Sequence, residues 1–257
     1  MMPLYDTNLL KATGLVQETL VLLEAYQPTL KKEEFSKRVI ANDLLGKATQ
    51  SRVNDILNRS FYRRYVLAGE EVIVALKHLQ SNYVGFEVLN QLFLVYTCRA
   101  NSILADFIRQ VYWPKVAVGE TTILTADPIE FIHQSMDTGH IETTWTDTTI
   151  VRVGRHISTC LNDFRLIEKN KTIRHFTLAD ATINFLLHEG HFKGLSDMQL
   201  LQMPDWAVLG LSTNDLVRRI NQLAQRGHFI AQYSGELLTI SWFYKSLEVA
   251  ADGISRA

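Results

Sequence analysis

The stretch from Ser212 to Phe243 constrains the fold more than any other, because its residues specify one amphipathic helix followed at once by a two-stranded hairpin. Ser212 is placed to cap the helix, and Asp215, three residues on, puts a carboxylate near the positive end of the helix dipole in an approximate capping box. Leu216, Val217, Ile220, Leu223 and Ala224 repeat at helical spacing, and Gly227 supplies the left-handed residue that ends a helix. The opposite face carries Asp215, Arg218, Arg219, Gln222, Gln225 and Arg226, side chains able to reach phosphates or base edges. His228 to Tyr233 and Glu236 to Phe243 are expected as strands joined by a turn at Ser234-Gly235, with Leu238, Ile240 and Trp242 on one side. A polar helix with a hairpin wing grips DNA in many proteins and other proteins in as many more.

The 257 residues, 47 % hydrophobic and 21 % charged, suit one large or two ordinary globular domains. Only Cys98 and Cys160 occur, far apart and each on an apolar helical stripe, which reads as two small core residues in a reducing cytoplasm. The segment Met1 to Lys11 lacks the charged start and apolar run of a signal peptide, and no stretch approaches 18 uncharged apolar residues, so neither export nor a membrane span is expected. The net charge of -1 is unevenly spread. Residues 119–147 hold six acids and no Lys or Arg, whereas 152–176 hold six bases against Asp163 and Glu168. Such segregation can build a basic face on a neutral protein.

Taken in order, the chain predicts a helix stopping before Pro28, a second near Lys31 to Asn42, and a third begun by Thr49 or Ser51 with Val53, Ile56, Leu57, Phe61 and Tyr65 as its apolar stripe. The other side of that third helix shows Arg52, Asp55, Asn58, Arg59, Tyr62 and Arg63, with Arg63 or Arg64 suited to phosphates and Asn58 and Arg59 to base edges. Helices follow near Glu70 to Gln80, Phe86 to Tyr96 and Asn101 to Tyr112, the last ended by Trp113-Pro114. These form an N-terminal bundle, 1–118, with Lys115 to Glu120 as its connection to a C-terminal domain, 119–257. That second domain opens with a helix near Pro128 to Asp137, then one capped by Thr146 and stapled by Trp145, whose polar face is Arg152, Arg155, His156 and Thr159. Leu166 to Lys169 and Thr172 to Phe176 are expected as strands with a basic tip at Asn170-Lys171, ahead of a helix near Leu178 to His188. The fold class is therefore mainly α, with helix-turn-helix or winged-helix-like units at about 31–65, 128–176 and 196–243 and short hairpin wings.

Markers of catalysis are missing from the sequence. Gly46-Lys47-Ala48-Thr49 lacks the upstream glycine and adjacent hydroxyl of a phosphate loop, and neither G-x-G-x-x-G nor G-x-S-x-G occurs. His188 and His191, and Glu130 with His133, have metal-like spacing without the further ligands a site needs, and read as surface or helix-end residues. No cofactor or metal is expected, and no acid–base pair is selected by spacing.

Asn42-Asp43-Leu44-Leu45-Gly46-Lys47 leading into the arginine-bearing helix, Trp145-Thr146-Asp147 opening the helix to Leu166-Ile167, and Arg226-Gly227 with Gly235 and Ile240-Ser241-Trp242-Phe243-Tyr244-Lys245 together resemble the BrxA family. These are accessory proteins of bacterial BREX (bacteriophage exclusion) defence systems, also described as NusB-like. The resemblance spans about Asp6 to Asp252 on scattered positions. It implies a non-enzymatic cytoplasmic protein that binds double-stranded DNA and works beside methyltransferase, phosphatase-like and ATPase components in host DNA methylation and phage exclusion. A NusB-like label would instead imply RNA, but winged hairpins without exposed aromatic platforms favour duplex DNA.

From the helix faces, Arg52, Arg59, Arg63, Arg152, Arg155, Lys169, Lys171, Arg218, Arg219 and Arg226 are the expected phosphate contacts, with Asn58 and Gln222 the base readers. The alternative is a protein-interaction adaptor whose winged units dock other defence subunits, with the acidic block as one contact surface.

Overall fold

A computed structural model describes residues 4–234 and 237–256, and the fold is mainly α-helical. An N-terminal strap with one tight turn, Asn8–Leu10, leads into α1 (Val16–Ala25) and α2 (Lys32–Ala41). The Thr49 hydroxyl accepts from the Arg52 N–H and so caps α3 (Gln50–Asp55). The helix continues without a break through Ile56–Val66, but as a wider coil with i→i+5 bonds, such as Leu67 N–H to Tyr62 O at 2.9 Å. A wider turn carries more residues, so the face rotates away from 3.6 periodicity. That rotation buries Tyr62 and Arg64, which simple spacing places on the polar side.

Next come α4 (Glu70–Ser81), α5 (Phe86–Ala100) and α6 (Ser102–Phe107), extended by a second wide stretch, Ile108–Tyr112, and by α7 (Trp113–Ala117). Trp113-Pro114 therefore does not end the helix, contrary to expectation. The widened turn ahead of Pro114 relieves the clash its ring would make, and the missing N–H removes only one bond.

The second half holds α8 (Asp127–Asp137), α9 (Asp147–Asp163), α10 (Asp180–Phe192), α11 (Asp197–Leu201), α12 (Asp205–Val208) and α13 (Thr213–Gln225). It closes with an antiparallel hairpin, β1 (Phe229–Ser234) and β2 (Leu237–Trp242), and α14 (Leu247–Ser255). Register pairs Phe229 with Trp242 and Ala231 with Ile240. Leu238 and Ile240 face the core as their alternation requires. Gly235 and Glu236, at the expected turn, lie outside the described residues. The other expected hairpin is not formed as two strands. Ile167 pairs with Ile173 in a single bridge, while Thr172 pairs with Thr122 and Ile173 N–H donates to Thr121 O at 2.8 Å. Glu168 N–H donates to Thr172 O at 2.8 Å and Arg174 N–H to Leu166 O at 2.9 Å, so the two segments do meet but pair too briefly to form strands, and the 121–123 segment bonds the opposite edge of 171–173.

The core is one cluster organised around α5, whose Leu92 to Tyr96 are all buried. Its polar side chains clamp the second half. Gln91 donates to Thr177 O at 2.8 Å and accepts from Ala179 N–H and the Thr182 hydroxyl, and Asn90 donates to Asp163 O at 3.1 Å. Arg99 grips Asp205 through Nε and Nη2, at 3.0 and 2.7 Å, and Glu189 through Nη1 at 2.7 Å. The expected boundary near residue 118 falls in the turn after α7, and packing crosses it: α14 lies on α4, α10 on α5, and α9 on the Asn8–Leu10 turn.

Arg64 holds the end of the strap that leads into α1. Its guanidinium is buried and donates to Ala12 O at 2.6 Å and Gly14 O at 3.1 Å, and burial pushes its pKa down. Gly14 N–H in turn donates to Asp163 Oδ2 at 3.0 Å, an approach that leaves no room for a Cβ at this position. Removing a buried donor leaves each carbonyl unsatisfied at about 1–3 kcal/mol. Arg64→Leu is expected to lose roughly 3 kcal/mol, a fall in Tm of about 6–12 °C in thermal unfolding. An unchanged Tm would show that the strap is held elsewhere.

Candidate nucleic-acid interface

Helix α9 is the ridge of the candidate surface. Thr146 caps it by accepting from the Thr149 N–H, and Ile150, Val153, Ile157, Cys160 and Leu161 bury one face. Gly154 lets α8 close on it, since an added Cβ would lie 3.3 Å from Ile129 Cγ1. The remaining face exposes Arg152, Arg155 and Thr159.

Here the strap and α3 meet α9. Arg52 Nη1 donates to Lys11 O at 2.6 Å, and Lys11, Arg52, Arg152, Arg155, His156 and Thr159 line a hollow of 460 Å³. On the other side of the ridge, Arg155, Lys169, Lys171 and Asn162 line a second hollow of 320 Å³, where Lys171 Nζ donates to the Thr125 hydroxyl at 2.5 Å. Five of the expected phosphate contacts, Arg52, Arg152, Arg155, Lys169 and Lys171, are therefore brought to one face. Among the described residues Arg152, Arg155 and Lys169 have no acidic partner, whereas Lys11 lies 3.6 Å from Asp55. The positive field is visible in His156, whose pKa is pushed down by burial and then by Arg152, Arg155 and Arg52. Lys11 was not among the expected contacts, because it sits in the non-helical strap where face reading has no purchase.

The other expected contacts lie elsewhere or are occupied. Asn58 and Arg59 are exposed on the extension of α3, donating to Asn54 O and Asn8 Oδ1, and Arg63 pairs with Asp6 at 3.0 Å. Arg64, considered for phosphate contact, is buried on the strap carbonyls and cannot reach a ligand at the surface. On α13, Arg218 pairs with Asp215, while Arg219 and Arg226 both pair with Asp180 from the first turn of α10. Gln222 is exposed. The polar face of α13 is thus largely neutralised from within the protein.

His188 is not a surface or helix-end residue. It is buried beneath the hairpin, with its ring 4.8 Å from that of Trp242 and 6.0 Å from that of Phe229. Its Nδ1–H donates to Asn184 O at 2.8 Å, since a carbonyl can only accept. Periodicity does not single it out, because α10 is buried on every side from Thr182 to Gly190. His133 is exposed, and among the described residues no group of three or more His, Cys, Asp or Glu is placed to hold a metal ion. Nor is any described helix long and apolar enough to cross a membrane.

Burial takes the His188 pKa down to about 4. The unfolded chain binds a proton near pH 6.5 that the folded chain refuses, so this group withdraws stability as pH falls from about 6.5 to about 4, by roughly 3 kcal/mol in all. Urea unfolding across that range is expected to show the loss, and His188→Phe to flatten it. An equal slope in the variant would place the acid sensitivity at other groups.

The BrxA family model matches residues 3–190. Among solved structures, a crystal structure of an uncharacterized protein from Magnetospirillum magneticum is similar over 80 % of this chain and 98 % of that one, with a TM-score of 0.62 and 11 % identity, a likeness of fold alone. No match was found among curated proteins.

Proposed function

The chain belongs to the BrxA family of BREX phage-defence components, and on that premise we propose that it binds double-stranded DNA through the basic face around α9. One observation carries this reading: Arg152, Arg155 and Lys169, free of acidic partners among the described residues, converge with Arg52 and Lys171 on both sides of one exposed helix. Phosphate contacts position a protein on a duplex without reading its sequence, so this face gives affinity with little base specificity. In this role the protein has no chemistry of its own. It holds DNA for the methyltransferase, phosphatase-like and ATPase components of the cytoplasmic defence complex.

About five phosphate contacts give a log–log slope of affinity against salt near -4.5. Arg152→Glu with Arg155→Glu is expected to weaken duplex binding more than tenfold and to flatten that slope, measured by fluorescence anisotropy at two salt concentrations. Arg218→Glu with Arg219→Glu is expected to change it less than threefold. Equal losses in both variants would move the interface to α13 and its hairpin, and equal binding of single-stranded RNA would favour an RNA-binding role.

The internal pairing of Arg218, Arg219 and Arg226 favours a second role for the C-terminal helix and hairpin, docking another defence subunit. Ile230, Leu237 and Phe243 are exposed there as apolar anchors. Recovery of a defence subunit in pull-downs is expected to survive nuclease treatment and to be lost with Ile230→Asp. Loss on nuclease treatment would assign that recovery to shared DNA.

A further inference from the structure

A third and larger cleft, 920 Å³, opens beside the duplex face and shares Thr159, Asn162 and Lys169 with the hollows described above. Its size falls in the range of roughly 300–1,000 Å³ typical of small-molecule sites, and its walls carry three complementary kinds of group. The first is a flat platform: the Arg165 guanidinium lies 4.3 Å from the Phe86 ring centroid, held by Glu87 at 3.1 Å. Guanidinium planes and aromatic rings are the surfaces on which unpaired bases stack. The second is an acceptor edge. Asp163 Oδ2 takes the Gly14 N–H, the Thr13 hydroxyl is a second partner of the same carboxylate, and Asn162 turns its amide nitrogen to Ile167 O at 3.1 Å, which leaves its amide oxygen to accept. Burial raises the Asp163 pKa, which makes its carboxylate a stronger acceptor.

The third is an uncommitted cation. Glu18 is tied to Lys47 at 2.7 Å and Glu168 to Arg174 at 3.3 Å, so both glutamates of the cleft are answered while Lys169 has no acidic partner among the described residues.

We propose that this cleft binds a guanine nucleotide: the base extends the Phe86–Arg165 stack, its N1–H and N2 amino group donate to Asp163 and Asn162, and its phosphate sits on Lys169. Guanine is the base whose pairing edge presents two adjacent donors, whereas adenine presents an acceptor beside a donor. The same chemistry is offered by a free mononucleotide and by an unpaired guanosine at the end of a bound duplex. Both sources are therefore probed.

Titration calorimetry with deoxyguanosine monophosphate is expected to show saturable binding at least tenfold tighter than with deoxyadenosine monophosphate. Asp163→Asn, whose amide oxygen can still accept from Gly14, is expected to erase that preference. Lys169→Glu, at an exposed position that does not endanger folding, is expected to weaken both nucleotides about tenfold or more. In the second arm, a blunt duplex is compared with one ending in a single unpaired guanosine. Tighter binding of the overhang that disappears in Asp163→Asn assigns the source to nucleic acid, and binding of the free nucleotide alone assigns it to the mononucleotide pool. No saturable binding in either arm at millimolar concentration, or binding indifferent to both substitutions, overturns the proposal. The shared Lys169 aside, the duplex reading stands apart: Arg152→Glu with Arg155→Glu should leave binding of the free nucleotide unchanged. Loss of duplex binding with the nucleotide still bound, or the reverse, shows which of the two readings has failed.

Discussion

A guanidinium buried without a carboxylate bonded to it is the constraint on which the basic face depends. Arg64 donates through its two terminal nitrogens to the carbonyls of Ala12 and Gly14, and in doing so draws the strap across the extended α3 and onto the end of α9. Removing one side of such an arrangement strands polar groups in a dry interior, a cost that falls on both partners. Without the strap, Lys11 would not accept from Arg52 and the hollow between α3 and α9 would lose its floor. The positive charge at the surface is thus positioned by a positive charge in the core.

The same residue type meets different fates on two helices of similar pattern. Both α9 and α13 bury an apolar stripe and turn arginines outward. On α13, Asp180 reaches over from α10 and ties down both Arg219 and Arg226, while Asp215 holds Arg218. No such acid faces Arg152 or Arg155 among the described residues. What separates an unpaired arginine from a paired one is therefore the neighbour supplied by another element, and that is information about tertiary packing.

This explains what could be read from the sequence. Caps at Thr49, Thr146 and Ser212, the stripes of α9 and α13, and the alternation of β2 are encoded by residues close in the chain, and all were legible. Membership of the BrxA family was legible too, from scattered positions over most of the chain. The i→i+5 coil of 56–66 was not, because no residue type marks it, and it turned Arg64 inward. The pairing of 121–123 with the outer edge of 171–173 was hidden because the two segments lie about 50 positions apart. His188 was misplaced because histidine is usually exposed, whereas the aromatic box that covers it comes from the hairpin.

The packing of α14 on α4 has a consequence for how the chain is made. Leu247, Ala250, Ala251 and Ile254 are buried where α14 packs on α4 and α10, and His78 is gripped by Glu248 and by Asp252, 174 positions further on. At about 5–20 residues per second, a ribosome needs roughly 10–35 s to span that gap. Throughout that interval α4 has left the exit tunnel without α14. The nascent chain therefore carries α4 only partly covered for many seconds, until α14 emerges to close over it.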